Sequence, residues 1–221
     1  MVQALRYKRD SWRIWWSKLF VCLDLEKVNE SVQACNRLLD LRSKQTDSSK
    51  IPELDERCVK GIVGQSLGDL EKAIESGNKA AIDSAERTVK RVEDLLERLR
   101  DTMSHPWLFE TCAYFNDRRG NGILAHEDLM KQYRSLTGLT GWERDIDKIK
   151  KSCKVALIIC KMNQKSGSKE RFSKSKLMLR TLIKKVESCY DTNNLILPEE
   201  FANVKALYDE LEESVRVTQT I

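Results

Sequence analysis

Two short segments, Ala4-Leu5-Arg6-Tyr7 and Leu38-Leu39-Asp40-Leu41, stand in register 34 residues apart. A unit of that length has room for two helices of a few turns each, and it cannot bury its apolar face alone, so such units must stack on one another. The composition agrees. Proline occurs only at Pro52, Pro106 and Pro198, glycine is scarce, and 33% of the residues are charged, as in long surface helices joined by few turns. An all-α chain is expected.

Between the two segments, Asp10 or Ser11 can cap a helix carrying Trp12, Trp15, Leu19 and Cys22. Asp24 to Lys27 breaks it before a second helix with Val28, Val32, Cys35, Leu38 and Leu39. Residues 1–44 thus read as the end of one repeat followed by a full helical hairpin, with Trp15 at the large aromatic position, Ser31 at the small crossing point and Leu38 as the late apolar contact.

Residues 104–164 are expected to form a second hairpin and the helix that follows it. Ser104 is the hairpin's candidate cap, Pro106 suits the first turn, Trp107 takes the aromatic position, and the turn spans Asp117 to Gly122. Its partner helix ends at Thr137-Gly138-Leu139-Thr140-Gly141, after which Trp142 restarts the pattern 35 residues beyond Trp107.

Residues 51–103 read as a long helical pair, Pro52 to Ser76 and Asn78 to Met103, broken at Gly77. Gly61, Gly64 and Gly68 share one face of the first, so a neighbouring helix can approach its backbone closely. In the second, Ile82, Ala85, Val89, Val92, Leu96, Leu99 and Met103 form an apolar stripe that suits either a stacked neighbour or a partner chain.

After Trp142, the helix of Ile146, Ile149, Cys153, Ala156 and Cys160 becomes apolar almost all round at Val155, Ile158, Ile159 and Met162, and is expected to be buried there. Beyond a break at Gln164 to Lys169, residues 170–217 read as two capping helices. One carries Phe172, Leu179, Ile183, Val186 and Tyr190, and the other Phe201, Val204, Tyr208, Leu211 and Val215.

Seven cysteines show no CxxC motif and no Cys/His spacing suited to zinc, so free thiols in a reducing compartment, cytoplasm or nucleus, are expected. No segment has the run of uncharged residues that a membrane span needs. The turn Asp117-Arg118-Arg119-Gly120-Asn121-Gly122, with Asp128 in the twelfth position, imitates a calcium loop, but Arg119 stands where an oxygen ligand is required. Neither His105 nor His126 has a ligand partner at helical spacing, and no nucleophile stands beside a base. No metal, cofactor or catalytic site is predicted.

Charge is uneven. From Lys148 to Lys185 there are thirteen basic residues against Glu170 alone, and the final segment is acidic. The basic run either binds an anionic partner, RNA or an acidic protein segment, through Lys148, Lys151, Lys154, Lys165, Lys169, Arg171, Lys174, Arg180 and Lys184, or is partly neutralised by the last helix packing on it.

The stretch SWRIWWSKLFVCLDLEKVNESVQACNRLLDLRSK at 11–44 resembles the last clear repeat of the tetratricopeptide repeat protein 27 family, whose fungal relatives are named for cell-wall maintenance. HPWLFETCAYFNDRRGNG at 105–122 and TGWERDIDKIKKSCKVA at 140–156 fit the same C-terminal region in order. The resemblance implies a right-handed α-solenoid of tetratricopeptide-type hairpins with a C-terminal helical cap, forming the C-terminal part of a longer protein. It also implies a non-enzymatic, co-chaperone-like scaffold for assembling large complexes, with protein partners.

One departure bears on the partner. Repeats that grip acidic chaperone tails use Lys and Asn on the concave face of the first helix, where this chain has Trp16 and Phe20 beside Arg13. The expected site is therefore an aromatic pocket of Arg13, Trp16, Phe20 and Leu23 that takes an apolar segment.

Overall fold

The computed structural model describes residues 11–44, 51–166, 168–190 and 197–219, with side chains as far as Cys189 in the penultimate helix and Glu213 in the last. Ala4 to Tyr7, Asp10, Gly167, Asp191 and the side chains of Tyr190, Val215 and Arg216 lie outside the described residues. Among those described there are nine α-helices, one short 3-10 turn and no strand, so the chain is all-α as expected. It divides into two compact units, residues 1–119 and 120–221. The division falls inside the turn expected between Asp117 and Gly122, which leaves the first helix of the expected second hairpin in one unit, and its partner helix and the helix that follows in the other.

The first unit holds α1 (Trp12–Asp24), α2 (Val28–Lys44), α3 (Glu56–Ser76), α4 (Lys79–Thr102) and α5 (Pro106–Arg118). α1 pairs with α2 and α3 with α4, while α1, α3 and α5 form one row and α2 and α4 a second, the stacking of an α-solenoid. Sequence chemistry sets most of the ends. Asp55 caps α3 by accepting from the Cys58 N–H at 2.8 Å, and Gly77 closes it at φ 64. Asn78 then caps α4, accepting from the N–H groups of Ala80 and Ala81.

Two caps differ from expectation. Ser11 occupies the N-cap of α1 without a side-chain cap bond, and His105, not Ser104, precedes α5. Pro52 also lies outside a helix. Residues 51–55 form an irregular segment pinned by buried Ile51 and Leu54, and tied outside by Glu53 to Arg42 and His105.

The core of this unit gathers Leu19, Val28, Cys35, Leu38, Ile62, Val63, Val92, Leu96, Leu99 and Leu108, among others. Val92 and Leu96 are 0% and 2% exposed, so much of the stripe on α4 is core. Ser31 is fully buried and returns its hydroxyl to the Lys27 carbonyl at 2.9 Å.

The second unit holds α6 (Gly122–Thr137), the 3-10 turn Trp142–Arg144, α7 (Ile146–Lys165), α8 (Lys169–Tyr190) and α9 (Glu199–Gln219). Trp142 does not begin a helix. Gly141, at φ 77, turns the chain so that the indole drops into the core at 2% exposure, and Asp145 caps α7 three residues later. α7 packs against α6, α8 and α9, and α9 also packs against α8. Around Trp142 the core collects Ile149, Cys153, Ala156, Cys160, Leu179, Leu182, Val186, Phe201, Val204 and Leu211. Ile158 departs from the expected burial and is 47% exposed, because α7 is covered on three sides and open on the fourth.

Candidate functional site

The row α1–α3–α5 carries the aromatic residues singled out in the sequence. Trp16 is half-buried against the core and meets Phe20 edge-on, with ring centroids 5.7 Å apart, and Phe20 keeps 37% of its surface exposed. Arg13 is exposed, its guanidinium carbon 5.5 Å from the centroid of the Trp12 ring, a cation–π contact. Leu23 leans onto α3, where a Cβ placed on Gly61 would lie 3.6 Å from its Cδ2. The Gln65 side-chain amide donates to the Leu23 carbonyl at 3.2 Å and fixes that approach.

The glycines of α3 then divide. Gly61 is the close-approach position that the sequence predicts, but apart from the helix's own neighbouring backbone no described atom comes within 4 Å of where a Cβ would sit on Gly64 or Gly68. Beside Gly64 is a notch of about 380 Å³ lined by Lys60, Val63, Glu110, Thr111 and Tyr114. Tyr114 is 51% exposed. One end of the notch is closed by the Lys60–Glu110 ion pair at 3.1 Å, and a second bridge, Arg118 to Glu71, ties α5 to α3 farther along. Leu23 therefore covers Gly61 on the α1 side of α3, while Gly64 stays open on the α5 side, beside Tyr114.

Sequence reasoning missed Tyr114 and the notch, yet a signal was present. Glycine within a helix costs about 0.5–1 kcal/mol relative to alanine, so three on one face call for three close approaches. The chain itself supplies one.

The basic residues do not form one patch. Lys148 is drawn to Asp145 at 3.1 Å, Lys174 to Glu170 at 2.6 Å, and Lys154, with Lys150, to Glu200 of α9 at 3.4 and 3.6 Å. Lys176 likewise pairs with Glu212 of α9 at 2.8 Å. Neutralisation by the last helix therefore accounts for part of the run. Lys151 and Lys165 project from the outward side of α7, while Lys169, Arg171, Arg180 and Lys184 are exposed on α8. Because α7 and α8 turn their buried stripes to a shared core, their outward faces point away from each other.

Buried thiols offer no nucleophile. Burial pushes Cys58 and Cys153 up to about 12 and Cys160 up to about 11, far from thiolate formation at neutral pH. His126 is held below its ordinary value by burial and the nearby Arg171. Among the described residues, no group of three or more His, Cys, Asp or Glu is placed to hold a metal ion, and no helix is long and apolar enough to cross a membrane.

No protein-family model matches the chain. A curated protein, the tetratricopeptide repeat protein 27 homologue of Dictyostelium discoideum, is 24% identical over 187 residues, a match that covers 84% of this chain and 20% of the relative. The chain thus spans about a fifth of that protein's length. Among solved structures, a de novo designed helical repeat protein aligns over 95% of this chain and 96% of its own at 15% identity, with a TM-score of 0.34. The 187-residue match, together with the repeat-type motifs and the stacked hairpins of the first unit, supports a distant relationship of this chain to the tetratricopeptide repeat protein 27 family.

Proposed function

We propose that the chain is a non-catalytic scaffold of the tetratricopeptide-repeat kind, and that the α1–α3–α5 groove of the first unit holds an apolar helical or extended segment of a protein partner. One observation carries this reading: a Cβ on Gly64 or Gly68 would meet nothing beyond the helix's own neighbouring backbone, and Gly64 opens onto a notch beside half-exposed Tyr114, while exposed Phe20 lies on α1, the helix on the other side of α3. A floor without side chains lets a partner come to within contact distance of the α3 backbone, and exposed aromatic residues are efficient anchors for such a segment. By family resemblance, the role is assembly of large complexes, co-chaperone-like, in cytoplasm or nucleus. An RNA-binding role for 148–185 has less support, since Lys148, Lys154 and Lys174 are already paired within the unit and no aromatic side chain described on α7 or α8 is exposed for base stacking.

The test is site-specific photo-crosslinking in cells, with a benzophenone side chain at Phe20, at Tyr114 or, as a control, at exposed Lys90 on the outer face of α4. Capture of the same proteins at Phe20 and Tyr114 and not at Lys90 is the expected result. Capture no greater than at Lys90 would end the groove reading.

A further inference from the structure

The outward face of α7 combines charge and apolar surface in a regular order. Lys151, Lys154, Ile158, Lys161 and Lys165 follow at steps of three, four, three and four, and all five are exposed. At a rise of about 1.5 Å per residue they form a stripe roughly 21 Å long. Ile158, at its centre, is 47% exposed. Lys151, Lys161 and Lys165 make no ion pair with any described residue.

We propose that this stripe docks an acidic amphipathic segment of a partner protein, with carboxylates over the lysines and an apolar side chain over Ile158. The unit contains a worked example of the chemistry at the edge of the same stripe. There the Glu200 carboxylate of α9 lies 3.4 Å from Lys154 and 3.6 Å from Lys150, while the next residue, Phe201, is 1% exposed in the core. A hydrogen bond from its own backbone N–H, followed by the lysines, holds Glu200 below the usual carboxylate range. A carboxylate next to a buried apolar residue, presented by a helix, is thus a combination that α7 accepts.

α9 occupies one edge only, and the remaining lysines repeat the pattern on open surface. Charge complementarity selects an acidic occupant. Ile158 selects protein over nucleic acid, because a phosphate backbone laid along the lysines would cover an isoleucine with charge and gain nothing from it, and the stripe offers no ring for a base. Exposed ion pairs are individually weak and screened by salt, so the contact over Ile158 is the anchor and the lysines set orientation and on-rate.

The test is selection of a random peptide library on the immobilised chain, with Ile158→Ser and Lys161→Glu/Lys165→Glu variants in parallel and helicity checked by circular dichroism. Peptides that carry Asp or Glu on both sides of an apolar residue at helical spacing are expected to be enriched. Their retention should fall about tenfold or more on the charge-reversed variant and by a smaller factor on Ile158→Ser. Peptides sensitive to Phe20→Ala instead belong to the groove of the first unit. If no acidic peptide responds to the α7 substitutions, the proposal fails. If a fluorescent oligouridylate binds with the same sensitivity and no peptide does, the stripe is a nucleic-acid site and the proposal fails equally.

Discussion

α3 and α7 are each the helix that packs against the most others in its unit. α3 packs against α1, α2, α4 and α5, and α7 against α6, α8 and α9. Their open faces nevertheless have opposite chemistry. α3 presents glycine, so the backbone itself forms the floor of a groove, while α7 presents lysine around a single isoleucine. On the two proposals above, related packing yields one surface that selects by shape and one that selects by charge. The difference lies in a few side chains that touch neither core.

The largest effect is expected where the comparison has its root, in the helix behind α3. Val92→Asp with Leu96→Asp puts two carboxylates at positions 0% and 2% exposed, and should cost more than about 4 kcal/mol and remove the first unit's helical signal in a urea titration. A change in molecular mass with helicity intact would instead make the α4 stripe an oligomer contact. Next, Gly64→Leu should fill the notch and weaken crosslinked partners about tenfold or more, roughly 1.4 kcal/mol, without unfolding, whereas the same partners should ignore Lys161→Glu.

Salt sharpens the contrast further. Raising ionic strength from about 0.05 to 0.5 M should reduce retention of α7-dependent peptides about tenfold and change that of groove-dependent ones less than about twofold, by fluorescence anisotropy.

Smaller again is the cap of α7. Asp145 accepts from the Lys148 backbone N–H and pairs with the Lys148 ammonium, and the two together hold its carboxyl below the ordinary Asp value. A lowered folded value means the contribution is present above the ordinary Asp range and is lost as pH falls through the folded value. Asp145→Ala should therefore cost about 1 kcal/mol at pH 7 and less once the pH is below both values, by urea titration at each pH. Smallest is Gly68→Ala, which meets no described atom beyond the helix's own neighbouring backbone and should stabilise the first unit by about 0.5–1 kcal/mol.

Much of the helical layout was legible because apolar spacing and turn residues agree: Asp24 to Lys27 and Asn78 at Gly77 both mark observed breaks. What was lost concerns direction in three dimensions. Ile158 belongs to an all-round apolar run, and only the placement of α6, α8 and α9 shows which side stays open. The run of thirteen basic residues looks continuous along the chain, yet the fold sends it to two outward faces and pairs several members with acids. Of the four residues proposed for the aromatic pocket, Trp16 and Phe20 do meet, Leu23 serves as the wall against Gly61, and Arg13 lies over Trp12. Tyr114 was invisible because its relation to Gly64 spans fifty residues of chain and exists only once α5 lies beside α3.

The tryptophans are divided as unevenly as the surfaces. Trp12, Trp15, Trp16 and Trp107 belong to the first unit, and Trp142, sealed at 2% exposure, is alone in the second. Fluorescence emission therefore carries two separable signals in one cuvette. A Trp142→Phe chain reports only on the groove-bearing unit, and the difference spectrum against the unaltered protein isolates a single blue-shifted indole that follows the lysine-bearing one.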